Sequence, residues 1–244
     1  METDMKKLKS IIQYECMTSF KYIWMFYAIQ YLSVGFISIG IGLVLGNFDD
    51  IGTNFLEINT LIYVGILGVL GFHDDFKMLI QNGFTRKYIF IATISMFCFI
   101  SGTMAFIDTV VANMLHYINS GYLSLYSSLY GYENIFMNWL WLFLLYVAFC
   151  SLLYLVILVI NKVGKVISIY LGVIFGGIIL LVVALFRYVF TAEVISDILK
   201  LFMEVMGFMA NGTINYIFPV LTLLVFVTIL AVGSYTIIRR TELG

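Results

Sequence analysis

The stretch Trp139-Leu140-Trp141-Leu142-Phe143-Leu144-Leu145-Tyr146-Val147-Ala148-Phe149-Cys150-Ser151-Leu152-Leu153-Tyr154-Leu155-Val156-Ile157-Leu158-Val159-Ile160 contains no charged side chain. About 20 such residues in a helix cross the roughly 30 Å hydrocarbon core of a bilayer. Runs of the same kind recur on both sides of it, and reading them at bilayer length predicts six spans: 22–46, 55–72, 88–112, 139–160, 166–186 and 214–238. The second is short and contains Glu57 and Asn59, while its Gly65, Gly68 and Gly71 suit a face packed closely on another helix. The fold class predicted is all-α, a polytopic membrane protein.

Composition agrees with that reading. Of the 244 residues, 62% are hydrophobic and 11% charged, against roughly 25% charged in a soluble domain, and the mean hydropathy is +1.04. Six spans leave no room for a soluble catalytic domain, and a net charge of −1 gives no reason to expect a nucleic acid partner. Cys16, Cys98 and Cys150 form neither a CxxC nor a regularly spaced set, which argues against structural disulfides. No small-residue cleavage site follows the first apolar run, so the first span is expected to remain in the mature chain.

Charge distribution sets the predicted orientation. Lys6, Lys7, Lys9 and Lys21 precede the first span; Lys77, Arg86 and Lys87 lie in the second connection, Lys162 and Lys165 in the fourth, and Arg239 and Arg240 in the tail. Only Arg187 and Lys200 fall elsewhere. The positive-inside rule therefore predicts both termini in the cytoplasm, with residues 239–244 as a cytoplasmic tail.

Two further segments read as interfacial. In residues 1–21, Met5, Leu8, Ile11, Ile12 and Phe20 alternate with lysines at near-helical spacing, which fits either an amphipathic helix on the inner membrane surface or a basic unstructured tail. Between the fifth and sixth spans, Glu193, Asp197, Lys200 and Glu204 make a thin polar stripe on an otherwise apolar helix, and Asn211-Gly212 supplies a turn before Pro219. That predicts an amphipathic segment that dips into the outer leaflet and returns. The outer loop 113–137 contains Tyr117, Tyr122, Tyr126, Tyr130 and Tyr132, read either as an interfacial aromatic belt or as a substrate-reading surface.

Several chemistries lack their residues. No GxxxxGK[ST] loop is present to cradle ATP phosphates, since Gly164-Lys165 is followed by Val166. His73 and His116 are predicted on opposite membrane faces, which argues against a shared metal site, and there is no GxSxG elbow. Asp49-Asp50 and Asp74-Asp75 lack the third carboxylate a turn later that a magnesium-diphosphate site would favour. Asp108, near the outer end of the third span, fits two readings: a carboxylate at the headgroups, or a contact for substrate or proton on the transport path. Glu57 is the other acid within a span, also near the outer end.

The connection after the second span reads His73-Asp74-Asp75-Phe76-Lys77-Met78-Leu79-Ile80-Gln81-Asn82-Gly83-Phe84-Thr85-Arg86-Lys87. The two aspartates suit a helix amino terminus, Phe76, Met78, Leu79 and Ile80 give it apolar contacts, and Gly83 suits its end. A short helix over about 74–84 is predicted, although a plain loop obeying the positive-inside rule fits as well. Here the chain resembles the type-two ABC transporter permeases, whose bacterial members carry an apolar helix ending in Asn-Gly-x-Ser/Thr-Arg-Lys before the third span. The matching residues are Leu79, Ile80, Asn82, Gly83, Thr85, Arg86 and Lys87, and the layout of six spans with an outer re-entrant segment is similar throughout.

That resemblance implies a coupling helix, Asp74 to Phe84, seated on a separate ATP-hydrolysing subunit, with Arg86 and Lys87 anchoring it at the inner interface. It implies two permease subunits, identical or homologous, paired with two ATPases that bind the ATP and magnesium, and a location in a bacterial cell membrane. The scarcity of charge within the spans favours a hydrophobic or amphipathic substrate, such as a membrane-active peptide, a drug or a lipid. Family context adds peptide export or bacteriocin immunity. The rival reading is an ATPase-independent channel, secondary carrier or immunity protein.

Overall fold

The computed structural model describes residues 2–46, 54–73, 79 and 83–239. Among these, regular structure is helical apart from one antiparallel bridge between Phe208 and Ile214. The helices are α1 (Glu2–Leu45), α2 (Glu57–His73), α3 (Arg86–Ile118), α4 (Ser127–Tyr130), α5 (Ile135–Val163), α6 (Lys165–Tyr188), α7 (Ala192–Val205) and α8 (Ile217–Arg239).

The charge-free stretch quoted above becomes the central helix. Apolar all round, α5 packs against α2, α3 and α8, and α1 joins the bundle through α3. Its start is fixed by Asn134, whose side chain accepts from the Met137 N–H at 3.1 Å. The core runs through Ile23 and Tyr27 of α1, Val64 of α2, Phe97, Ile100 and Met104 of α3, Leu142, Tyr146 and Tyr154 of α5, and Ile238 of α8. Helix α2 approaches α5 on its glycine face: a Cβ on Gly68 would collide with the Cys150 carbonyl oxygen, and one on Gly65 would lie 2.6 Å from the Phe149 ring. The close packing predicted for this face is what brings α2 into the bundle.

Helix α6 has the same composition and the opposite fate. None of its described side chains is buried, and Ile169, Tyr170, Phe175 and Leu180 stand in the open. So large an exposed apolar surface is incompatible with water and compatible with lipid. Five helices, α1, α3, α5, α6 and α8, are long and apolar enough to cross a membrane, and α2 is a shorter apolar helix. These are the features of a multi-pass membrane protein.

The count differs from the six full spans expected because α2 has only 17 residues, about 26 Å at roughly 1.5 Å per residue. A second difference lies at the start of the chain: the helix expected at 1–21 and the span expected at 22–46 form one unbroken α1. Phe20-Lys21-Tyr22 contains neither glycine nor proline to end a helix. The 44 residues of α1 extend about 66 Å, more than twice the hydrocarbon thickness.

Side-chain and loop contacts sort the helix ends into two layers. At one, the basic end, the Arg86 guanidinium at the start of α3 donates to the Arg239 carbonyl at the end of α8 over 2.9 Å. At the other, the far end, the Phe55 N–H donates to the Leu123 carbonyl at 3.0 Å, and the Leu123 N–H donates to Asn54 Oδ1 at 3.1 Å, joining the entry to α2 with the loop after α3. The Tyr130 hydroxyl then donates to the Met206 carbonyl at 2.8 Å, tying that loop to the end of α7.

Candidate functional site

Two regions carry residues singled out in the sequence. At the basic end is the connection between α2 and α3, of which Asp74–Met78 and Ile80–Asn82 lie outside the described residues. Leu79 is helical, 3% exposed and part of the bundle's own core. Gly83 takes a φ of +78°, which reverses the chain so that the Phe84 N–H reaches the Leu79 carbonyl at 3.1 Å. Phe84 packs against the same core, Thr85 is extended ahead of α3, and Arg86 holds the carbonyl of Arg239 while Lys87 is exposed. Of the residues the resemblance assigns to an ATPase, Leu79 is thus covered by this chain itself.

The other region is at the far end, where α3 is about 33 Å along its axis from Arg86. Asp108 is 4% exposed there and faces inward, between α1 and α5. The Tyr27 hydroxyl donates to its Oδ1 at 2.8 Å and the Tyr146 hydroxyl to its Oδ2 at 2.6 Å. Tyr27 also lies 3.1 Å from the Met104 carbonyl, one turn earlier on α3. Charge-assisted hydrogen bonds of this length are strong, and two of them satisfy a carboxylate that burial would otherwise penalise heavily.

Glu57, at the first turn of α2, is 1% exposed and within electrostatic reach of Asp108; the backbone N–H groups of Glu57 itself and Leu125 lie near its oxygens without reaching hydrogen-bond geometry. Thr60, one turn on, lies against Asp108 and the Tyr27 hydroxyl without completing a hydrogen bond. Gln30 donates from Nε2 to the Leu56 carbonyl at 3.3 Å, which leaves its Oε1 buried and unpartnered. Sequence spacing shows that Tyr27 and Gln30 share a face of α1, as Glu57 and Thr60 share one of α2, because i, i+3 residues do. It contains no sign that the two faces meet at Asp108.

The loop above this cluster also departs from expectation. Tyr122, Tyr126 and Tyr130 are buried rather than displayed, and only Tyr117 of the five stands fully in the open. Tyr130 stacks on Phe208 with centroids 5.6 Å apart, and burial pushes its phenol up to about 12. Burial also raises the phenols of Tyr122 and Tyr126, with Glu57 adding to the rise at Tyr122 and Tyr216 at Tyr126. Three of the five tyrosines thus pack inside the chain at the far end. Helix α7 follows, with no buried residue and its apolar face uncovered.

Among the described residues no three His, Cys, Asp or Glu side chains converge. No protein-family model, curated protein or solved structure matches the chain.

Proposed function

We propose that this chain is the membrane-embedded permease subunit of an ABC transporter that exports a hydrophobic or amphipathic substrate. The observation that carries the reading is the mounting of the α2–α3 connection. Leu79 and Phe84 fasten it to the core, Gly83 turns it, and Arg86 ties the start of α3 to the end of α8. Force applied to this segment is delivered to two long helices at once, which is what a coupling helix must do. Residues 74–78 and 80–82 of this connection, Phe76 foremost among them, are then the contacts for a separate ATPase. ATP and magnesium belong to that subunit, since this sequence lacks a P-loop.

In this reading α2 counts as the sixth span, the basic end is cytoplasmic with both termini, and the membrane is a bacterial cell membrane. A second permease subunit covers apolar surface on α6, where Gly172 and Gly176 have open space in front of them. ATP-driven closure of the ATPases shifts the bundle between inward- and outward-facing states by differential binding. Peptide export or bacteriocin immunity fits the apolar walls. The buried acids Glu57 and Asp108 favour a second reading, an ion-coupled carrier without an ATPase.

The test is purification of the tagged chain from its native membrane in mild detergent, with ATP hydrolysis as readout. Hydrolysis should accompany the wild type and disappear for Phe76→Asp, with the yield of the permease chain unchanged and its elution shifted to the smaller size of a preparation without ATPase. Leu79→Asp is unsuitable, because it places a charge in the core. A wild-type preparation free of ATPase would sink the proposal in favour of the carrier.

A further inference from the structure

Glu57 and Asp108 present two buried carboxyl groups within reach of each other's charge. Asp108 accepts from a phenol on each oxygen; Glu57 has no side-chain donor and only the backbone N–H groups of Glu57 itself and Leu125 near its oxygens. The groups facing the pair are Tyr27, Gln30 and Tyr31 from α1, Thr60 from α2, Tyr146 from α5 and Tyr122 from the far-end loop. Among the described residues no lysine, arginine or histidine acts on either carboxylate. Two like charges in a low-dielectric interior, with no cationic side chain on either, favour compensation by a bound cation.

The surroundings specify what can supply it. Gln30 Oε1 is 7% exposed and unpartnered, and Thr60 Oγ1 is fully buried, unpartnered and set against Asp108. With the Glu57 oxygens these are oxygen atoms free to accept, the donor type that suits a hard cation. The Asp108 oxygens are already occupied by tyrosines.

We infer that the Glu57–Asp108 pair binds one small monovalent cation, a proton or a desolvated alkali ion, between α1, α2, α3 and α5. As a proton it sits on a Glu57 oxygen and turns an acceptor-only group into a donor for a neighbouring oxygen. As an alkali ion it takes its ligands from Glu57, Gln30 and Thr60. The inference stands apart from the ATPase reading, since it concerns the far end alone.

The experiment is thermal unfolding of the full chain in detergent, from about pH 5 to about pH 9, in sodium chloride, potassium chloride or choline chloride at one ionic strength. Wild type is compared with Glu57→Gln, which keeps the shape and removes the charge. A folded state that holds a proton the unfolded state releases loses stability as pH rises. For a proton, the wild-type Tm therefore falls relative to that of Glu57→Gln by up to about 4 °C per pH unit, equally in all three salts. For an alkali ion, sodium or potassium in place of choline raises the wild-type Tm saturably at the alkaline end and leaves Glu57→Gln unmoved. Asp108→Asn, which removes the neighbouring charge, weakens either response and replaces Glu57→Gln should that variant fail to fold. Wild type and variant tracking each other across pH and salts overturns the inference, as does a wild-type Tm that responds to neither.

Discussion

Tyr146 and Tyr27 hold Asp108 from two helices, and their phenols do work that apolar rings of the same size cannot. Removing the Tyr146 hydroxyl leaves Oδ2 buried without its donor, so Tyr146→Phe should destabilise by about 1.5–3 kcal/mol, as loss of a hydrogen bond to a charged group does. The cost should shrink in an Asp108→Asn background, and a double-mutant cycle by denaturant unfolding measures the difference. At the basic end, Gly83 owes its identity to conformation: no described residue lies within 4 Å of the Cβ it lacks, and its φ is +78°. Gly83→Ala should therefore cost about 1–2 kcal/mol by the same assay, and Gly83→Asn less. Equal stability of all three proteins would show that the turn is not held in this geometry.

Among the elements, the glycines divide into two kinds that sequence alone treats alike. Gly68 of α2 meets the backbone of α5, whereas Gly176 of α6 meets nothing among the described residues. Gly68→Ala must push two backbones apart and should lower stability by about 1–3 kcal/mol, while Gly176→Ala should stay within about 0.5 kcal/mol in the monomer. Unfolding of each variant under conditions that keep it monomeric checks the contrast. The apolar runs announced where α3, α5, α6 and α8 would be, because length and hydropathy are local properties. They did not announce that α5 is enclosed and α6 bare, since both are apolar on every side and only packing tells them apart. Nor did they reveal that α1 has no break, because amphipathic spacing and a span can follow one another within a single helix. The site was half legible: Asp108 was conspicuous as an acid in an apolar run, but Tyr27 and Tyr146 look like any other aromatic. Glu57 owes its significance to a neighbour 51 positions away that no periodicity connects to it.

For the molecule as a whole, the two layers of helix ends are fixed by contacts that span the chain, and their orientation in the membrane is a proposal with a direct check. In a background with Cys16, Cys98 and Cys150 replaced, Lys200→Cys should react with a membrane-impermeant thiol reagent on intact cells. Lys162→Cys should react only after permeabilisation. The reverse pattern would put the amino terminus outside and remove the ATPase reading, because the α2–α3 connection would then face away from any source of ATP.

The unbroken run of α1 makes it a lever. Lys9 and Tyr27 belong to one rigid rod, about 27 Å apart along its axis, with no hinge between them. A helix of this kind conveys tilt and twist along its length with little loss. A displacement of the lysine-rich end should therefore be conveyed along the helix to the phenol that grips Asp108, as a shaft carries torque.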